Sequence, residues 1–212
     1  MRTQLQKAEA FRALHARKDA FIIPNPWDVG TAKMLAKLGF EALATTSAGF
    51  AFSIGVLDNQ VGRERMLGHV REIAAAADLP VSADLENGFG DELKTVAETI
   101  RRAASTGIVG GSIEDSIDRP GEKVYEIAHA TDRVRAAVEA KRDLPFPFTL
   151  TARAENYLVG IPDLADTIRR LQAYEKAGAD VLMAPGLPDL EAVRKVCAAL
   201  QKPFNFMAGI KG

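Results

Sequence analysis

The sequence predicts an α/β fold, a (β/α)8 TIM-type barrel that lacks its last β/α unit in this chain. Three observations predict it. Short apolar strands and amphipathic helices alternate about seven times, the pattern of a parallel sheet covered by helices. Polar residues gather after nearly every strand, where such barrels build their active sites. None of the first strand-to-helix turns carries the dinucleotide fingerprint of an open doubly wound sheet. The chain has 212 residues, whereas a barrel of this type typically needs about 250. It stops after the seventh predicted strand at Gly209-Ile210-Lys211-Gly212. A barrel left open there exposes two parallel edges, so a last unit is expected beyond this sequence.

The elements follow in order. Leu5, Ala8, Phe11 and Leu14 recur at helical spacing, predicting an N-terminal amphipathic helix over 3–18 with His15 near its end as a C-terminal cation or surface residue. Phe21-Ile22-Ile23 reads as the first strand, followed by a helix through Ala32, Leu35 and Leu38 that stops at Gly39. The second strand is Ala42 to Ser47. A loop and a helix from Met66 to Ala77 lead to the third strand at Pro80, and helix 91–106 leads to a fourth at Gly111 to Asp115. Helix 124–142, the strand Phe148 to Arg153, the helix Asp163 to Ala177, the strand Val181 to Ala184, helix 189–200 and the strand Phe204 to Met207 complete the pattern. One domain spanning 1–212 is expected.

Composition narrows the function. The chain is 47% hydrophobic and 26% charged with a formal net charge of −1, so it can bury a large core and offers no basic tract for nucleic acid or anionic membrane. No window has the apolar length of a membrane span, and Met-Arg-Thr-Gln-Leu-Gln-Lys has no signal-peptide core, which makes a cytoplasmic enzyme of a small substrate the expectation. Cys197 is the only cysteine, which excludes an internal disulfide. Its neighbours Val193, Val196 and Leu200 share its helical phase, so a buried structural thiol is expected. His69 and His129 fall on helix bodies and are assigned structural or surface roles.

Chemistry concentrates in Pro80-Val-Ser-Ala-Asp-Leu-Glu-Asn-Gly-Phe-Gly90. Asp84 and Glu86 stand two apart, on one face of an extended chain. At about 5 Å and an effective dielectric near 20, two carboxylates repel by roughly 3 kcal/mol, which a shared proton or a divalent cation would offset. The strand ends together carry Asp28, Thr46 and Ser47, Asp84 and Glu86, Glu114 and Asp115, Arg153 and Glu155, and Asn205. A hard cation held by Asp84, Glu86 and Glu114, largely through water, accounts for the acids; oxygen-only ligands point to Mg²⁺ or Mn²⁺. Asp115, Glu155 and Asp28 also admit a stability reading, as helix caps or salt-bridge partners. Arg153 supplies a planar positive charge, and its replacement by Ala is expected to lower turnover without unfolding the chain. Trp27 after the first strand is a candidate pocket wall. The charged, Pro- and Gly-containing segment 116–124 is a candidate lid that would carry Lys123 to the site.

These residues resemble a family. Asp84-Leu85-Glu86-Asn87-Gly88-Phe89-Gly90 resembles the Asp-x-Asp/Glu-x-Gly-aromatic-Gly motif of the isocitrate lyase and phosphoenolpyruvate mutase superfamily, and Ile113-Glu114-Asp115 its Ile-Glu-Asp strand end. Gly55-Val56-Leu57-Asp58, Ser47-Ala48-Gly49, Arg153 and Pro203-Phe204-Asn205 match further elements in order. The resemblance implies a Mg²⁺-dependent barrel enzyme that makes or breaks a bond beside a 2-oxo or 2-hydroxy carboxylate through an enolate. Asp84, Glu86 and Glu114 would hold the metal, and Asp58 a metal-bound water or substrate. Ser47 and the Ala48 and Gly49 amides would hold the substrate carboxylate; Thr46, Asn205 and Trp27 are further candidate substrate contacts by their positions after the strands, not by the resemblance. It also implies a dimer or tetramer that exchanges C-terminal helices.

The departures restrict this. The Lys-Lys-Cys-Gly-His loop of isocitrate and methylisocitrate lyases has no counterpart, which argues against those two activities. The Lys and Asn-Ser elements of the phosphonate mutases are also absent, Asp115 being followed by Ser116-Ile117-Asp118. The general acid or base is unassigned. A lyase or decarboxylase of a small 2-oxo or 2-hydroxy dicarboxylate is the first expectation, phosphorus–carbon chemistry the second, and a non-catalytic family member the third.

Overall fold

The computed structural model describes residues 1–119 and 121–209. Among them, six strands form one parallel sheet: β1 (Leu43–Ala44), β2 (Val81–Asp84), β3 (Gly110–Glu114), β6 (Thr149–Arg153), β7 (Val181–Met183) and β8 (Phe204–Asn205), hydrogen-bonded in that order. A separate antiparallel hairpin is made of β4 (Ser116–Arg119) and β5 (Glu122–Val124). Neighbours in the sheet follow sequence order with no reversal, which excludes a doubly wound sheet and is the topology of a barrel wall. The result is a curled parallel sheet with helices α1 (Gln4–His15), α2 (Val29–Lys37), α3 (Ser47–Ser53), α4 (Arg63–Ala76), α5 (Leu93–Ala104), α6 (Ile127–Arg142), α7 (Leu164–Ala177) and α8 (Leu190–Ala198).

The strands are buried on both faces, but the two faces differ in chemistry. In register, Ser82 lies beside Gly110 and Gly110 beside Thr149; Asp84 beside Ser112 and Ser112 beside Thr151; Glu114 beside Arg153. The alternate positions Ala83, Ile113, Leu150 and Ala152 join the main apolar core with Leu43, Met66, Ile73, Ile100 and Leu171 from β1 and the helices. One sheet face is therefore a polar inner wall and the other packs on helices. At the opposite end from the carboxylates, Phe11 of α1 packs with Ala42 and Val109. A Cβ on Gly110 would stand 2.9 Å from the Phe11 ring, so glycine is what admits this close packing.

Local signals set the helix boundaries. Thr3 and Asp28 close capping boxes on α1 and α2, and Asp163 and Asp189 cap α7 and α8. Gly178 ends α7 at φ 106°, above Val138.

Several expectations are corrected. No strand forms at Phe21–Ile23: Ile22 is 72% exposed, and the bonds to β1 come just after it, Ala44 N donating to Pro24 O and Asn25 Nδ2 donating to Ala44 O, each at 3.1 Å. Pro24 and Pro26 lack the N–H groups that would continue a ladder. The second strand, expected to run to Ser47, ends at Ala44, and helix α3 begins at Ser47 and runs into the segment read as a loop; Thr46 caps it, its Oγ1 accepting the Gly49 N–H at 3.1 Å. Leu5 and Leu38, placed on buried helix faces, are 46% and 73% exposed. The last strand ends at Asn205, not Met207. Cys197 is exposed: Val196 and Leu200 take the buried side of α8 and the thiol faces away. His15 lies in the last turn of α1, as expected, but not as a fully exposed residue. It is half-buried between the Phe11 and Phe21 rings, and burial lowers its pKa. His69 is buried and stacked on Phe50, as expected of a structural histidine.

Candidate active site

Arg153, at the end of β6, organises the carboxylates. Its NH1 lies 3.1 Å from Asp84 Oδ1, its NH2 3.2 Å from Glu114 Oε2 and its Nε 2.9 Å from Glu155 Oε1. One guanidinium thus faces three carboxylates in a site where Arg153 is 8% exposed and Glu155 1% exposed. Burial alone would lower the Arg153 pKa, but Glu114, Glu155 and Asp84 outweigh it and hold the cation charged. The acids compete for the one cation. Burial, reinforced by Glu155 and Asp84, pushes Glu114 up to about 8 in spite of Arg153. Burial also raises Glu155.

Each acid is aimed by its neighbours. Asp84 N–H donates to Thr45 Oγ1 at 2.9 Å, and Asp84 Oδ2 accepts from Ser47 Oγ and N at 2.9 and 3.1 Å. Ser112 Oγ adds a longer bond of 3.4 Å to Asp84 Oδ1. Glu114 N donates to Glu86 O at 3.1 Å, tying the ends of β2 and β3 together. Ser116 Oγ donates to Glu114 Oε1.

The loop after β2 is held in an unusual backbone. Glu86 and Phe89 have φ of 51° and 61°, a left-handed geometry that costs of order 1–3 kcal/mol per residue other than glycine. Gly88 (φ 85°) lies against α5, where a Cβ would sit 3.1 Å from Val96 Cγ2. Arg133 of α6, 1% exposed, offsets the strain by donating to the carbonyls of Asn87 and Asp91. Gly88 N donates to Leu85 O at 2.8 Å, and Thr99 Oγ1 donates to Gly88 O at 2.9 Å. A cavity of about 490 Å³ opens beside this loop, lined by Glu86, Asn87, Phe89 and Ser116, by Asn59 before α4 and by Arg63 at its start.

Asp115 points away from the mouth and serves the scaffold. It accepts from Tyr174 Oη, from Arg170 NH1 at 3.1 Å and from Glu155 N at 2.8 Å, while its own N–H donates to Arg153 O at 3.2 Å. Burial raises its pKa, against these donors. Asp28 is the cap of α2, accepting Thr31 N at 2.7 Å. These two, with Glu155, match the stability reading available from sequence.

The structure brings together Ser47, Asp84, Glu114 and Arg153, with Glu86 on the adjoining loop. Among the described residues, no three His, Cys, Asp or Glu side chains converge as direct ligands of one metal ion. Thr46 and Gly49 bond to each other, and the Ser47 N–H is engaged by Asp84, so these groups are committed within the protein. Ala48 lies between them on the first turn of α3. Trp27 is 48% exposed with its Cβ close to Gly49, and Asn205 is half-buried beside Met183. Asp58 accepts its neighbour's N–H, Asn59 N, at 3.1 Å in the segment after α3. Lys123 donates to Val159 O at 2.8 Å, in the loop after β6, and so is not among the acids.

Sequence reasoning did not find Arg133, Tyr125, Arg170 or Tyr174. A signal existed: Arg133 shares the buried phase of α6 with Ala130, Val134 and Ala137, and Arg170 that of α7 with Thr167, Leu171 and Tyr174. A charge on a core face must find partners.

The family model described as phosphoenolpyruvate phosphomutase matches residues 11–212. The chain belongs to this family, within the isocitrate lyase/phosphoenolpyruvate mutase superfamily. A crystal structure from Burkholderia cenocepacia J2315, provisionally assigned as a lyase/mutase, is 60% identical with a TM-score of 0.96, covering 99% of this chain and 75% of that one. Oxaloacetate acetylhydrolase in complex with oxalate is 28% identical with a TM-score of 0.85, covering 95% and 71%. The 2-methylisocitrate lyase of Escherichia coli K12 is 29% identical over 204 residues, 92% of this chain and 68% of that protein. Lyases, mutases and hydrolases make up the superfamily, and this family member is an enzyme. Among the described residues, no helix is long and apolar enough to cross a membrane.

Proposed function

We propose that this enzyme makes or breaks a carbon–carbon bond beside the carbonyl or hydroxyl of a small 2-oxo or 2-hydroxy dicarboxylate, with an enolate as the anion to be stabilised. The observation that carries the reading is the sharing of Arg153 by Asp84, Glu114 and Glu155. Three carboxyl groups are gathered around one cation in a buried site, and burial with that crowding holds the Glu114 proton up to about pH 8.

That acid cluster and its oxygen-only donors fit a hard dication, Mg²⁺ or Mn²⁺. Asp84, Glu86 and Glu114 would hold it through water. When bound it would supply positive charge to the oxygens of a 2-oxo acid. Arg153, fixed on three sides, keeps the acids in place and adds a preorganised positive charge, while Ser47 and Thr45 hold Asp84 in one orientation.

Oxaloacetate acetylhydrolase and 2-methylisocitrate lyase, both similar to this chain, are named for di- and tricarboxylate chemistry. The cysteine-bearing loop of the latter's class is absent here, and Cys197 lies exposed on α8, so a different substrate from 2-methylisocitrate is proposed. Phosphorus–carbon chemistry, supported by the family description, is the second reading. A phosphonate carries more charge than a carboxylate, whereas Lys123 is bonded to Val159 rather than to the acid cluster. That favours the carboxylate.

The test is a panel of 2-oxo and 2-hydroxy diacids, oxaloacetate and substituted malates among them, with phosphonopyruvate included, incubated with Mg²⁺ and followed by product identification. Consumption of a diacid only with Mg²⁺ is expected, with oxalate, an enolpyruvate mimic, binding in the same metal-dependent way. Turnover of phosphonopyruvate alone, or oxalate binding that ignores Mg²⁺, overturns the proposal.

A further inference from the structure

Tyr125 follows directly on β5, at the foot of the hairpin that runs from Ser116 to Val124. Its backbone holds that foot in place. Tyr125 N donates to Asp115 O at 2.9 Å, and Tyr125 O accepts from Arg170 NH1 at 2.7 Å. Its side chain reaches toward the loop after β2. The hydroxyl donates to Asp91 Oδ1 and accepts from Asn87 Nδ2 at 3.3 Å. Its ring lies 4.3 Å from the Arg133 guanidinium, and Arg133 in turn donates to the carbonyls of Asn87 and Asp91. Tyr125 therefore links two of the segments that line the cavity: its main chain, next to Val124, is pinned to Asp115 at the base of the hairpin, and its hydroxyl is bonded to the Glu86 loop.

We infer that Tyr125 is a positioning residue that locks the Glu86 loop and the β4–β5 hairpin into one unit at the rim of the cavity. The loop needs such a lock, because Glu86 and Phe89 occupy left-handed backbone that an unrestrained chain leaves. The consequence for cation affinity rests on the reading of Glu86 as a holder of the metal; the mechanical coupling rests on the contacts alone.

Hydrogen exchange followed by mass spectrometry, on the full chain without ligand, tests the coupling. Tyr125→Phe keeps the ring over Arg133 and removes both hydroxyl bonds. Exchange in 87–92 and in 116–124 is expected to rise together, by at least about fivefold, with the remaining helices and strands unchanged within about twofold. Asp91→Ala, at an exposed position, removes the acceptor while leaving Tyr125 intact and should loosen the same two segments. A rise confined to one segment, or spread evenly over the chain, overturns the proposal. Titration with Mn²⁺ alone gives the functional arm: Tyr125→Phe should weaken binding roughly 10-fold, as the loss of an outer partner of a metal site does. Loosened segments with unchanged Mn²⁺ affinity overturn the positioning role. A wild-type protein that binds no Mn²⁺ would instead count against the acid cluster as a cation site, and the exchange pattern would still decide the role of Tyr125.

Discussion

Arg153 Nε lies 2.9 Å from Glu155 Oε1, two residues further along the same chain, so the end of β6 carries its own counter-ion. Glu155 is in turn fixed through its N–H, which donates to Asp115 at 2.8 Å. Glu155→Gln keeps the shape and removes the charge. Because Arg153 retains Asp84 and Glu114, the expected loss is about 1–3 kcal/mol in chemical denaturation. Turnover of the diacid found by the panel should fall at the same time, and a variant with wild-type stability and turnover would show that the pair is idle.

Arg153→Ala leaves Asp84, Glu114 and Glu155 without their shared cation. The sequence suggested a loss of turnover with the fold untouched, but the structure makes Arg153 a structural ion as well. Stripping one partner from a buried ionic cluster costs about 3–5 kcal/mol. The loss should be large at pH 8, smaller at pH 5 where the acids take up protons, and partly reversed by millimolar Mg²⁺. Thermal denaturation across those conditions checks it; a variant equally stable throughout contradicts the shared-cation account.

Glu114 sets a pH dependence of stability. Its folded pKa of about 8 lies above its ordinary 4.5, so the folded state holds the proton more tightly. The contribution is fully present below 4.5 and is lost as pH rises through about 8. Glu114→Gln should remove that slope, which is no more than about 1.4 kcal/mol per pH unit. His69 acts in the opposite sense: burial lowers its pKa from 6.5, so stability is lost as pH falls below that value. It is common to both proteins and cancels when urea curves of wild type and variant are compared from pH 5 to 8 with chelator present. Parallel pH profiles would refute the assignment.

Gly88→Ala adds a methyl group at φ 85°, 3.1 Å from Val96 Cγ2. A cost of about 1–3 kcal/mol is expected from the backbone, and Mn²⁺ binding should weaken with it because Glu86 is on the same loop. Cys197→Ser is the contrasting case. The thiol is exposed, so stability should stay within about 0.5 kcal/mol of wild type.

Much of the fold was legible in the sequence because parallel strands and their helices alternate at distinct periods, and Gly39, Gly107 and Gly178 punctuate them. The polar wall was legible in principle: Ser82 and Asp84, Ser112 and Glu114, Thr151 and Arg153 alternate with Ala83, Ile113 and Ala152. That alternation was masked because the strands are short and buried on both sides. Phe21–Ile23 was misread since apolar content cannot show whether a neighbour offers a ladder, and Pro24 and Pro26 were the contrary signal. At the site, Asp84, Glu86, Glu114 and Arg153 were found from residue type and position at strand ends. Their partition was not, because which acid meets Arg153 and which meets Arg170 depends on side-chain directions in space. Asp115 and Glu114 are adjacent in sequence and point to opposite networks.

The strand ends are also stitched to one another above the sheet. Thr45 Oγ1 accepts from Asp84, Glu86 O from Glu114, Arg153 O from Asp115, and Met183 O from Ala154. This rim is a belt in which each buckle is fastened by a residue of the neighbouring strand's end. Substitutions made at two of its stations should therefore fail to sum, and the shortfall measured in a double-mutant cycle would map how far a disturbance at one strand travels around the mouth.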